Sequence, residues 1–275
     1  MPELPEVETV CRGLNQLTLQ QKIRGAEVLL ERSIAYPNSA DEFLEGITGS
    51  AIALWHRRGK YLLAQLHPGG WLGVHLRMSG QLLSVAPETA LHKHTRVRLF
   101  LDQELRFVDT RTFGKMWWVP PNQEINEIIP GLKKLGVEPL SPEFTVSYLA
   151  NKLKSTRRTI KTVLLDQSVI AGIGNIYADE SLFVSRIRPD TAAFSLTSAQ
   201  LEQLHQAIIK VLQTSIDKGG TTFSSFLNVM GVNGNYLGQA WVYGRTGVPC
   251  RVCGATIERI KLAGRSTHFC PLCQE

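Results

Sequence analysis

No apolar run in the 275-residue chain approaches the roughly 18 residues that a membrane-spanning helix needs. The N-terminus lacks a basic-then-apolar leader and carries Glu3, Glu6 and Glu8 instead. No internal repeat and no low-complexity tract is present, which excludes a repeat array and a disordered linker protein. These absences predict a cytoplasmic protein, with a bacterial or organellar nucleoid as its working compartment. Cysteine is scarce, at five residues, and four of them are spent on two CxxC pairs. What remains is ordinary for a soluble globular protein, with 43% hydrophobic and 20% charged residues and length enough for two domains.

Net charge is modest, at +6. Its distribution is more informative. Lys152, Lys154, Arg157, Arg158 and Lys161 fall together with no acid among them, and Arg245, Arg251, Arg259, Lys261 and Arg265 face only Glu258. Such clusters attract phosphates; a solvated surface is the alternative for each.

Apolar spacing at Val7, Val10, Leu14 and Leu17 predicts a helix over 5–20. From about 23 to 119, short β-branched and aromatic runs alternate with Gly and Pro breaks, which predicts a β-sandwich or barrel. The expected segments are 1–121 (β-rich), a Pro-punctuated connector at 122–150, a helical region at 151–240, and a finger at 241–275. In the helical region, Thr197 with Gln200 gives a capping-box signature before a long helix that stops at Gly219-Gly220. Residues 219–240 lack periodicity and read as a functional loop.

Cys250-x2-Cys253 and Cys270-x2-Cys273, separated by sixteen residues, form the strongest pattern. Four thiolates suit one tetrahedral Zn²⁺ with no open coordination position, so the metal is structural. Disulfides are the alternative. Between the pairs, two short strands joined at Ala263-Gly264 would lift Arg265 to a hairpin tip. Cys11 reads as an ordinary core residue.

Two further features point to chemistry. Met1-Pro2-Glu3 suits removal of the initiator Met, leaving a secondary amine on Pro2 beside a carboxylate. A plain frayed terminus is the alternative. Ala171-Gly172-Ile173-Gly174-Asn175 joins two predicted helices, and the amides opening the second would favour an anion. A plain helix hairpin is the alternative there.

Taken together, MPELPEVET at 1–9, RRGKYL at 57–62, HLRMSG at 75–80, DTRTFGK at 109–115, GIGNIYADE at 172–180 and the finger at 250–273 resemble the formamidopyrimidine-DNA glycosylase (8-oxoguanine DNA glycosylase, MutM-type) family over essentially the whole chain. Leu4 favours this branch over the endonuclease VIII enzymes, which typically carry Gly there. The resemblance implies an α+β fold of two domains. One is an N-terminal catalytic β-sandwich with a leading helix; the other is a helical helix-two-turn-helix domain with a β-hairpin zinc finger.

It further implies a monomeric, bifunctional glycosylase and AP lyase acting on oxidised purines in duplex DNA. Pro2 would form a Schiff base at C1′, Glu3 would move protons, and Glu6 would order the terminus. Lys60 and Arg265 would assist catalysis at the lesion phosphates, and Asn175 would grip phosphate. Met78, Arg111 and Phe113 would fill the void left by the extruded nucleotide. Thr221 and Thr222 would contact the base from the lesion-capping loop at 219–240. Competing readings are an endonuclease VIII-type glycosylase for oxidised pyrimidines and a non-catalytic zinc-ribbon nucleic-acid-binding protein.

Overall fold

Val7, Val10 and Leu14 are fully buried along one side of helix α1 (Leu4–Thr18). Pro5 in its first turn costs no hydrogen bond, since first-turn amides have no intrahelical partner. The strands follow as β1 (Gly25–Val28) and β2 (Ile34–Tyr36), then helix α2 (Ala40–Ile47). After it come β3 (Ala51–Arg58), β4 (Tyr61–His67), β5 (Trp71–His75), β6 (Gly80–Val85), β7 (Thr95–Phe100), β8 (Glu104–Asp109) and β9 (Lys115–Val119). This computed structural model describes residues 1–221, 229–231, 234 and 236–275.

Two sheets result, in the orders β1-β7-β8-β6 and β2-β9-β5-β4-β3. All pairs are antiparallel except β2 with β9. One apolar core joins them to α1: Leu62 and Val74 come from the larger sheet, Leu82 and Phe107 from the smaller, and Val10 and Leu14 from the helix. This is the predicted sandwich with a leading helix. The sequence reading missed α2 and β2. Ser39 caps α2 by accepting the Glu42 N–H, and Phe43 and Ile47, four apart, form its buried side. The Ser39-x-x-Glu42 signature was there to read, but the helix is short and sits inside a strand-rich stretch.

The smaller sheet carries a cross-strand charge network. Arg98 donates to Glu104 and Glu27, and buried Arg106 donates to Glu104 and to the Thr89 and Ala90 carbonyls. Burial alone pushes Glu104 up, but Arg98 and Arg106 outweigh it and hold the carboxyl at about 2. A depressed carboxylate contributes stability above its unfolded value, and that contribution is lost as pH falls through the folded value. Glu104 therefore contributes at most ~3 kcal/mol at neutral pH, less after solvent screening. We expect acid unfolding to steepen between about pH 4.5 and pH 2, and Glu104→Gln to remove that component. Circular dichroism against pH checks it.

Met1–Lys134 with Gly219–Gly234 forms one compact unit, and Leu135–Lys218 with Asn235–Glu275 forms the other. These units cut the chain elsewhere than the four expected segments. The short helices α3 (Ile125–Ile128) and α4 (Pro130–Lys133) stay in the first unit. So does Gly219–Gly234, because the Thr221 N–H donates to Glu6 and the Ser84 N–H donates to Val229 O.

The second unit holds α5 (Val146–Leu153), α6 (Ile160–Leu164), α7 (Asn175–Val184) and α8 (Ser198–Asp217). The predicted capping box of Thr197 and Gln200 opens α8. The hairpin β10 (Glu258–Leu262) and β11 (Arg265–Phe269) follows. Its closing pair is Leu262↔Arg265, so Ala263-Gly264 is a two-residue turn with both φ positive, at 44° and 78°. Among the described residues no helix is long and apolar enough to cross a membrane.

Candidate active site

Pro2, Glu3 and Glu6 are buried at the head of α1. Glu3 is the N-cap residue and forms a capping box with Glu6. Glu6 Oε2 accepts the Glu3 N–H at 2.8 Å, and its Oε1 accepts the Thr221 N–H at 2.7 Å. One carboxylate thus fastens the terminus to the segment that follows α8. Gly220 is needed there: its φ is +78°, and a Cβ would lie 3.1 Å from Glu6 Oε1. Thr221 is buried; Thr222 lies outside the described residues.

Lys60 sits in the Gly59-Lys60 turn between β3 and β4 and is 7% exposed, which is unusual for lysine. Nearby, His75 ends β5 and packs edge-on against Tyr61 with ring centroids 4.5 Å apart. Burial, then the charges of Arg77 and Lys60, push His75 down to about 3. The ring is therefore neutral at working pH, and its Nδ1 accepts the Arg77 N–H at 3.0 Å. That bond closes the turn in which Arg77 takes φ +54° just before Met78.

Met78 is 41% exposed and Phe113 is 51% exposed. Large apolar side chains left in solvent are not core residues. Arg111 stacks over Phe113 at 5.3 Å. A single buried carboxylate links the two turns. Asp109 Oδ1 accepts the Ser79 hydroxyl at 2.5 Å and the Arg111 N–H at 3.1 Å, and Oδ2 accepts the Gly114 N–H at 2.7 Å. The sequence contained Asp109 within DTRTFGK, yet nothing in the string revealed that it ties residue 79 to residue 111.

In the second unit, Asn175 opens α7 and donates its amide to Ser266 O at 2.9 Å, so Asn175 and the Arg265 strand come together. The Asn175 side-chain oxygen Oδ1 is buried and has no hydrogen-bond partner among the described residues. Gln167 shapes the preceding loop, accepting the Gly172 N–H and donating to Ile173 O. Below this lies a buried charge cluster. Asp179 receives Lys161 at 2.6 Å, and both the backbone N–H and the ring of His268, at 2.9 and 3.0 Å. Lys161 also donates to Ser266 O and Thr267. Lys161 is therefore withdrawn from the basic cluster expected at the surface, and Arg158 pairs with Asp166. Arg245 and Arg251 are partly engaged as well, donating to backbone carbonyls.

The sulfurs of Cys250, Cys253, Cys270 and Cys273 all lie within 4.8 Å of one another. The Cys250–Cys273 and Cys253–Cys270 separations are 3.9 and 3.4 Å. A ZnS₄ tetrahedron with Zn–S bonds of about 2.3 Å has edges of about 3.8 Å, so the cluster fits one zinc. Free thiols at these distances also dismiss the disulfide alternative. Burial pushes the Cys11 thiol up to about 12, in keeping with a core role.

Residues 1–116 match the formamidopyrimidine-DNA glycosylase N-terminal domain, 135–226 the H2TH domain of the same enzymes, and 247–275 the zinc finger found in FPG and IleRS. A formamidopyrimidine-DNA glycosylase of Nostoc punctiforme is 66% identical over 100% of this chain and 96% of its own length. A Lactococcus lactis FPG mutant crystallised with Fapy-dG containing DNA superposes with TM-score 0.90 at 35% identity, over the whole of both chains. The MutM (FPG) protein of Thermus thermophilus gives TM-score 0.89 at 39% identity, over 99% of this chain and 98% of its own. The chain belongs to the formamidopyrimidine-DNA glycosylase family. Its finger holds one structural zinc.

Proposed function

We propose that the chain excises oxidised purines from duplex DNA through a covalent bond between the Pro2 nitrogen and C1′ of the damaged nucleotide. Loss of Met1 frees the Pro2 amine. The amine attacks C1′ and the base departs; Glu3 protonates the opening ring oxygen, leaving an iminium. The iminium acidifies the C2′ proton, so β- and then δ-elimination expel the two flanking phosphates. Lys60 and Arg265 assist at those phosphates, and Asn175 donates to the backbone. The nucleotide must leave the stack for attack. Met78 fills the space it vacates, Phe113 wedges beside the opposite base, and Arg111 donates to the widowed cytosine.

On this reading 1–121 carries the chemistry, 122–150 connects, 151–240 grips the backbone through Asn175 and caps the lesion through Thr221 and Thr222 in its 219–240 loop, and the finger at 241–275 reaches the backbone through Arg265. The protein works as a monomer at the nucleoid in the cytoplasm. The carrying observation is the buried capping box of Glu3 and Glu6, which sets the Glu3 carboxylate beside buried Pro2 in the chain. The test is the intact mass after borohydride reduction on duplex DNA with 8-oxoguanine opposite cytosine. The sugar remnant is expected on Pro2; its presence on another side chain rules the reaction scheme out.

The His75 bond gives a second test. His75→Phe keeps a ring against Tyr61 but loses the acceptor for Arg77, whereas His75→Asn can accept from the residue two ahead. We expect about a five- to tenfold loss of duplex excision in the Phe variant and a smaller loss with Asn. Cutting of a single-stranded abasic site, which needs no void filling, should be spared in both. Parallel kinetics on the two substrates decide it.

A further inference from the structure

A cavity of about 920 Å³ lies wholly within the second unit, bounded by the end of α7, one side of α8 and the two cysteine knuckles. Pro2, Glu3, Lys60, Met78, Arg111, Phe113, Asn175 and Arg265 all lie outside its lining. Three cationic side chains do, Arg186, Lys210 and Arg251, against the single carboxylate side chain of Glu275. Arg251 spends one N–H on Gly238 O. The side chains of Arg186 and Lys210 make no hydrogen bond or ion pair among the described residues. The apolar side is open to solvent: Leu272 is 70% exposed, Val252 63% and Trp241 36%.

The walls are fixed. Trp241 stacks on Phe183 at 5.6 Å. Buried Glu180 accepts the backbone N–H groups of Trp241, Val242 and Tyr243. Gln274 is held by Ile187 O and the Cys270 N–H. A preformed concave site with convergent charge and apolar contacts is the usual form of a ligand pocket, and its volume falls in that range.

We propose that this cavity binds an acidic, partly apolar peptide segment of another protein. Unneutralised cations call for carboxylates, and the exposed Leu272, Val252 and Trp241 call for aliphatic or aromatic side chains interleaved with them. A DNA backbone supplies the first but not the second, and a pocket of this size admits side chains, not a duplex. The assignment is independent of the reaction chemistry above.

The test uses the full-length zinc-loaded protein and a fluorescein-labelled ten-residue peptide of alternating Asp and Leu. Controls replace Leu with Ser or Asp with Lys. Saturable binding by anisotropy is expected for the first peptide, with at least about tenfold weaker binding of each control. Lys210→Glu, on exposed helix surface, should weaken it about tenfold, with duplex strand cutting unchanged. Leu272→Asp should do the same with zinc content retained. Saturating lesion duplex should not displace the peptide. Displacement by duplex would assign the cavity to nucleic acid. Equal binding of the Ser control, or no change in either folded variant, would overturn the proposal.

Discussion

Glu3→Gln lowers excision of 8-oxoguanine from duplex DNA by about 10²–10⁴-fold, the range for loss of a positioned proton donor. Affinity for duplex holding an uncleavable abasic analogue should change by less than about twofold. The structure supplies the reason for the split. Glu3 caps α1, and an amide oxygen caps as well as a carboxylate, so α1 keeps its start. Only the transferable proton is lost. Glu6→Gln is the contrast. Both Glu6 oxygens accept backbone N–H groups, from Glu3 and from Thr221, and an amide would turn a donor toward one of them. That variant should lose excision and affinity together. Single-turnover kinetics beside equilibrium binding separate the cases. Equal loss of both in Glu3→Gln would reduce Glu3 to a helix cap.

Removing zinc should weaken duplex binding by about 10²-fold or more. The finger has little core of its own: Phe183, Val242, Cys250, Ile257 and Cys270 make up its buried apolar cluster. Metal binding, at about 10–16 kcal/mol in zinc-finger peptides, supplies most of the energy that orders such a module. Without it the β10–β11 hairpin loses its base, Arg265 loses its platform, and Asn175 loses the Ser266 carbonyl that orients it. The phosphate contacts proposed for Arg265 and Asn175, at about 1.5–3 kcal/mol each, account for the magnitude. The first unit keeps its sandwich core, so far-ultraviolet signal from strands should persist. Affinity should return with added zinc, and the salt dependence of binding should flatten in the stripped protein. Unchanged affinity after confirmed removal of the metal would break the link between finger and DNA.

The amino-acid string by itself determined the features that depend on near neighbours. Helical spacing of Val7, Val10 and Leu14 marked α1, the Thr197 and Gln200 pair marked the start of α8, and the short runs from about 23 to 119 marked the strand-rich stretch that ends with β9 at Val119. The cysteine spacing fixed the zinc set, and Ala263-Gly264 fixed the hairpin turn. Each of these is a matter of periodicity, capping or turn chemistry over a few residues.

What the string could not decide was which distant groups meet. Lys161 looked like a surface cation in a basic run, but tertiary packing buried it against Asp179. Met78 and Phe113 carry no local mark of exposure, yet both are left in solvent, on turns tied together by an Asp109 that bonds across thirty positions to Ser79. Gly219–Gly234 followed the helical region in sequence but joins the first unit, because Glu6 needs a second N–H. The physical reason is common to all three. A buried charge or polar group must find a partner wherever the fold brings one, and that partner's sequence position leaves no local signature.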